Sequence, residues 1–214
     1  MELKGLKINF LGDSITEGVG ASAKDTIYHA VLAKEAGLSQ ARNYGLSGTR
    51  IAIQNETKDG YSFCERYEKM DDDADVVVVF GGTNDYGHGD APLGSFNDRT
   101  PDTFYGACHY LFSGLIRKYL GKPIVIMTPL HRLNELEIPG EKTSGNYGNL
   151  KAYTNILREV AEYYSLPVLD LFATSGLQPE IKEIQEKYIP DGLHPNDNGH
   201  ALISHKLKLF LENM

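Results

Sequence analysis

Tryptophan is absent from the 214 residues, and there are only two cysteines and nine prolines. Nine prolines is slightly below the ~11 that average usage predicts, so the chain is not a proline-rich disordered linker. Cys64 and Cys108 have no CxxC spacing, which points to buried free thiols in a reducing compartment, with a lone disulfide as the alternative. Basic clusters are also missing. The richest are Arg117-Lys118 and Lys206 with Lys208, in a chain of net charge −8. Binding nucleic acid needs clustered Lys and Arg to neutralise phosphates, so no nucleic-acid partner is expected. Long apolar runs are absent too. Met1-Glu2-Leu3-Lys4-Gly5-Leu6 is polar, and Ile8 to Leu11 is far too short for a signal h-region or a membrane span. The expected address is the cytoplasm, with no membrane partner.

Glycine is in surplus, with 22 residues against ~15 expected. The length suits one α/β domain with a real core, so residues 1–214 read as a single domain.

Short apolar runs alternate with longer amphipathic ones. Ile8 to Leu11 reads as a strand and Thr26 to Ala36 as a helix. A weak strand precedes Asn43-Tyr44-Gly45, and a second helix is expected over Gly60 to Lys69. Val76 to Phe80 is uniformly apolar and β-branched, the pattern of a parallel strand buried on both faces. Asp102 to Tyr119 reads as a helix with Thr100 or Asp102 near its cap. Ile124 to Met127, Asn149 to Tyr164, Pro167 to Leu171 and Asn198 to Leu211 continue as strand, helix, strand and helix. Such alternation predicts a parallel sheet with helices on both faces.

Ligands bind such sheets outside the carboxyl ends of the strands. The segments there are Gly12-Asp13-Ser14-Ile15-Thr16-Glu17-Gly18, Asn43 to Thr49, Gly81-Gly82-Thr83-Asn84-Asp85 and, at a distance from the last strand, Asp191-Gly192-Leu193-His194-Pro195. A hydrolytic site needs a nucleophile, a base, a group orienting the base and donors for the oxyanion. Ser14 stands at a strand-to-helix turn. His194 can serve as base, and Asp191, three residues before it, can reach the other ring nitrogen. The amides of Ser14 and Gly48 and the side chain of Asn84 offer three oxyanion donors. Taken singly, each segment is as well explained as a cap or a tight turn. What tips the balance is four of them, in order, each at the correct end of a strand. The Gly-x-Ser-x-Gly elbow of ordinary α/β-hydrolases is missing.

These segments resemble the four sequence blocks of the SGNH hydrolases, or GDSL-type esterases, over residues 12–195. The resemblance implies a flavodoxin-like three-layer α/β/α sandwich with a five-stranded parallel sheet. It also implies Ser14 as nucleophile, His194 as base and Asp191 as its orienter, with an oxyanion hole of Ser14, Gly48 and Asn84. Ile15 replaces the name-giving leucine, and Thr83 stands inside the third block. Neither change removes a functional group.

Of seven histidines, His88 and His131 fall on the rim, where they would meet substrate or solvent. His29, His109, His200 and His205 fall in helices as surface or packing residues. Asp13 can touch substrate or brace the nucleophile turn. The expected function is a serine esterase for small, short-chain acyl esters such as acetylated carbohydrates, with no cofactor and no metal. The loops at about 86–100 and 129–147 lack apolar stretches, which suits a shallow polar mouth. Alternatives are a lysophospholipase or thioesterase of the same family, a metal-dependent phosphoesterase drawing ligands from Asp13, Asn84, His88, Asp191 and His194, or a binding module without chemistry.

Overall fold

A computed structural model describes residues 1–55, 61–138 and 147–214. Five strands form one all-parallel sheet in the order β2-β1-β3-β4-β5. They are β1 (Lys7–Gly12), β2 (Gln40–Gly45), β3 (Val76–Phe80), β4 (Ile124–Met127) and β5 (Val168–Leu169). Among the described residues the helices are α1 (Ser14–Glu17), α2 (Tyr28–Ala36), α3 (Phe63–Arg66), α4 (Thr83–His88), α5 (Phe104–Lys118), α6 (Leu150–Tyr163), α7 (Leu171–Thr174), α8 (Lys182–Tyr188) and α9 (Asp197–Glu212).

The alternation of side chains along each strand sorts the core into two layers. From β3, Val77 and Val79 pack with Phe104, Leu111 and Phe112 of α5 and Tyr153 and Leu157 of α6. Val76, Val78 and Phe80 face the opposite way, onto Tyr28 and Leu32 of α2 and Ile203, Leu207 and Leu211 of α9. The result is the three-layer α/β/α sandwich that the resemblance implied. Every side chain of β3 is buried, and each large aliphatic one contributes roughly 1.5–3 kcal/mol.

The two edge strands are where sequence and structure differ. β2 reads QARNYG with no fully buried position, yet it pairs along its whole length with β1, from Lys7↔Gln40 to Gly12↔Gly45. β5 is only two residues long, because Asp170 turns its carboxylate to the amide of Ala173 and caps α7. The strand expected to reach Leu171 therefore ends two residues earlier. Phe63–Arg66 is α-helical and Tyr67–Lys69 continues as a 3₁₀ turn, while the expected start at Gly60 lies outside the described residues. α5 is capped by Thr103, whose hydroxyl accepts from the amide of Gly106, rather than by Thr100 or Asp102. Both cysteines are buried and free.

The chain winds from β1 outward to β2, then returns to β3 on the other side of β1. This order places a switch point between β1 and β3, where a crevice opens beyond their carboxyl ends. α1 leaves β1 there and α4 leaves β3, so Ser14 at the start of α1 and Asn84 in the first turn of α4 both stand at the crevice.

Candidate active site

The nucleophile turn is built locally. Asp13 stands just before α1, and its Oδ1 accepts from the amide of Ile15 at 3.0 Å. Gly18, with φ of 110°, closes the one-turn helix by donating its amide to the Ser14 carbonyl. Between these caps Ser14 is held 7% exposed, with its Oγ 3.0 Å from Nε2 of His194. On the far side of that ring, Nδ1 lies 2.7 Å from Oδ2 of Asp191. An ionised carboxylate only accepts, so Nδ1 carries the proton and Nε2 presents its lone pair to the serine hydroxyl.

Asp191 is fixed from below as well. Its Oδ1 accepts from the amides of Leu193 at 2.9 Å and His194 at 2.6 Å. Burial pushes the Asp191 carboxyl up, but the bonds from the His194 amide and ring and the Leu193 amide together hold it below the ordinary carboxylate range. Its side chain is still 56% exposed, so water screens the pair.

The oxyanion donors expected from the sequence lie around the same cavity of about 350 Å³, lined by Ser14, Val19, Ser47, Gly48, Asn84, His88, Arg132, Leu193 and His194. Gly48 has φ of +74°, a conformation costly for any residue with a Cβ. Its loop is braced at both ends. Glu17 accepts from the amide of Ser47 at 2.7 Å and from its hydroxyl. Asp85 accepts from the amides of Ile51 at 2.9 Å and Ala52 at 3.0 Å. Arg66 closes the base, donating to the carbonyls of Gly12 and Tyr44 and to the Thr49 hydroxyl. Asn84 in the first turn of α4 donates from Nδ2 to the Thr49 carbonyl at 3.0 Å. Its Oδ1 lies 3.1 Å from Nε2 of His88, which donates because an amide oxygen cannot.

Two expected contributors lie elsewhere. Asp13 does not line the cavity; its carboxyl is 2% exposed beneath it. Burial pushes that carboxyl up to about 7, helped by the charge of Asp85 and opposed by the Ile15 amide and by Arg66. Asp85, also buried, is pushed up to about 6 against the pull of its amide partners. His131 turns away, with Nδ1 2.7 Å from Glu135 and its ring 4.0 Å from that of Phe172. His88 does line the cavity. Residues 83–88, which can be read from the sequence as a tight turn opening a loop, are a short helix. The second rim loop extends over 139–146, outside the described residues. The residues missed from the sequence are Glu17, Arg66, Asp85 and Arg132. Their roles come from contacts 17 to 54 positions apart in the chain, which no local pattern records.

Among the described residues no group of three or more His, Cys, Asp or Glu is placed to hold a metal ion, and no helix is long and apolar enough to cross a membrane.

No curated protein matches the chain. A solved structure from Lactobacillus plantarum is 31% identical, with 98% of each chain covered and a TM-score of 0.84. A candidate GDSL-like lipase from Bacteroides ovatus ATCC 8483 is 20% identical, covering 99% of this chain and all of that one, at a TM-score of 0.73. A two-domain esterase active on acetylated mannans, crystallised with mannopentaose, is 21% identical at a TM-score of 0.65; the match takes 99% of this chain but 50% of that one. At those identities the last two speak for the fold alone. The sequence profile of the GDSL-like lipase/acylhydrolase family matches residues 10–202. The chain belongs to that family.

Proposed function

We propose that the protein is a serine esterase that removes short acyl groups, acetyl foremost, from small polar alcohols such as carbohydrates. The observation that carries this reading is the unbroken relay Ser14–His194–Asp191, at 3.0 and 2.7 Å, opening into a cavity that Gly48 and Asn84 also line. Ser14 Oγ attacks the acyl carbon as its proton passes to His194 Nε2. The carbonyl oxygen becomes an oxyanion facing the amides of Ser14 and Gly48 and Nδ2 of Asn84. Each such donor is worth about 10²–10³ in rate. His194 then protonates the departing alcohol, and the same imidazole later takes a proton from the water that splits the acyl-serine.

The short-acyl preference is supported by the cavity. At about 350 Å³ it is near the lower end for small-molecule sites. Among the described residues Val19 and Leu193 are its only aliphatic lining side chains, too little to strip a long acyl chain of water. The structural neighbour active on acetylated mannans fits the same substrate class. With no tryptophan in the chain, sugar stacking would fall to tyrosine or histidine.

The test is turnover of p-nitrophenyl esters from C2 to C12. The reading predicts a maximum at C2 to C4 in the wild type. Wild-type rates in Ser14→Ala or His194→Ala would remove the mechanism, and a maximum at C8 or longer would replace the acetyl assignment with a lysophospholipase or thioesterase one.

A further inference from the structure

Arg132 is a charge the proposed reaction does not use. It lines the cavity of Ser14 and His194 and also a second cavity of about 230 Å³ beside Tyr86, Gly87 and Leu133. Its Nη1 donates to the carbonyl and hydroxyl of Thr83 at 3.3 and 3.2 Å, and the guanidinium lies over the Tyr86 ring at 5.4 Å. Nε is buried with no acceptor. Among the described residues no carboxylate comes within 4.0 Å of the guanidinium. Glu135, the nearest acid in sequence, instead accepts from the Arg132 main-chain amide at 3.0 Å. The charges of Asp191, Asp13 and Glu135 act on the guanidinium through space, yet none pairs with it directly, which leaves a partly buried cation without a hydrogen-bonded counter-ion. Gly87 leaves room for the guanidinium: a Cβ there would come within 2.8 Å of Nη1.

We propose that the ester accepted by this site carries a carboxylate, and that Arg132 holds it. This deepens the esterase reading above and rests on it. Nε and Nη2 form the side of a guanidinium that takes a carboxylate by two parallel N–H···O bonds. To present that side the guanidinium must turn toward the cavity, because Nε is buried where it stands. One guanidinium balances one negative charge. A phosphate monoester, with a charge of nearly −2, would leave the excess unbalanced close to Asp191.

The probes are 3- and 4-acetoxybenzoate, each compared with the matching acetoxybenzamide, which differs in charge but hardly in shape. The readout is the ratio of kcat/KM for carboxylate over carboxamide at pH 8 and low salt. The wild type is expected to favour the carboxylate at least tenfold at one of the two positions. Arg132→Gln should erase that preference and Arg132→Lys should keep part of it. Gly87→Ala, by pushing the guanidinium aside, should weaken it. An arginine that only anchors Thr83 and Tyr86 would slow both probes alike and leave the ratio unchanged, which overturns the proposal. So does a wild-type ratio of one or less, a measurement that needs no folded variant. Turnover that survives Ser14→Ala instead overturns the esterase reading beneath it.

Discussion

Replacing Asp13 by asparagine should stabilise the protein, and the gain should grow with pH. The carboxyl is buried beneath the nucleophile turn, where desolvation lifts it from 3.8 to about 7. A folded-state value above the unfolded one means that the folded protein holds the proton more tightly. Stability is therefore fully present below pH 3.8 and is lost as pH rises through 7. At 1.36 kcal/mol per unit, the penalty is about 2 kcal/mol at pH 5 and approaches about 4 kcal/mol at pH 8. Asparagine removes the charge but keeps an oxygen for the Ile15 amide, so the cap survives. Asp85 titrates in the same range but is common to both proteins, and its contribution largely cancels in the comparison. The advantage of Asp13→Asn over wild type should thus widen by about 2–3 kcal/mol between pH 5 and pH 8, or roughly 4–12 °C in Tm for a domain of this size. Urea unfolding followed by circular dichroism at the two pH values measures it. An advantage independent of pH, or a variant less stable than wild type at pH 8, would refute the account of Asp13 as a buried acid strained by ionisation.

Three further outcomes follow from the same geometry. Asp191→Asn should lower kcat by about 10², less than the ~10⁴ seen when a fully buried triad acid is replaced, because more than half of this side chain meets water; a p-nitrophenyl acetate assay decides it. Asp85→Asn replaces one of two acceptors facing adjacent amides by a donor and, by loosening the Gly48 loop, should slow acetyl transfer more than it raises KM at pH 8, which a p-nitrophenyl acetate assay checks. His200 is buried, and desolvation with the nearby His29 lowers its ring from 6.5 to about 4. Its contribution to stability is complete above pH 6.5 and is lost as pH falls toward 4, so His200→Gln should recover about 2 kcal/mol of the difference between pH 7 and pH 4.5. An identical change with pH in both proteins would contradict that.

Much of the sandwich could be read from the sequence because its central elements are defined by burial. Val76–Phe80 is apolar throughout since both of its faces are covered, and α5, α6 and α9 carry strong amphipathic spacing and side-chain caps. The edges could not be read as well. Gln40–Gly45 becomes a strand only because β1 offers it a partner, and Val168–Leu169 is cut short by the cap at Asp170. α4 begins at a glycine in a left-handed conformation and contains Gly87, composition that reads as a turn. The segments bearing Ser14, Gly48, Asn84, Asp191 and His194 stand out because their spacing is local and recurs across a family. The groups that brace them, Glu17, Arg66 and Asp85, and the cation at the mouth, Arg132, act through distant contacts and have no local signature.

The central claim is that Ser14, activated by His194, is the group that bonds to the acyl carbon. A fluorophosphonate added in the presence of EDTA, followed by peptide mass spectrometry, tests it most directly. The account predicts one adduct, on Ser14, unaffected by the chelator and greatly slowed in His194→Ala. No adduct, or an adduct on another residue with Ser14 unmodified, would contradict it.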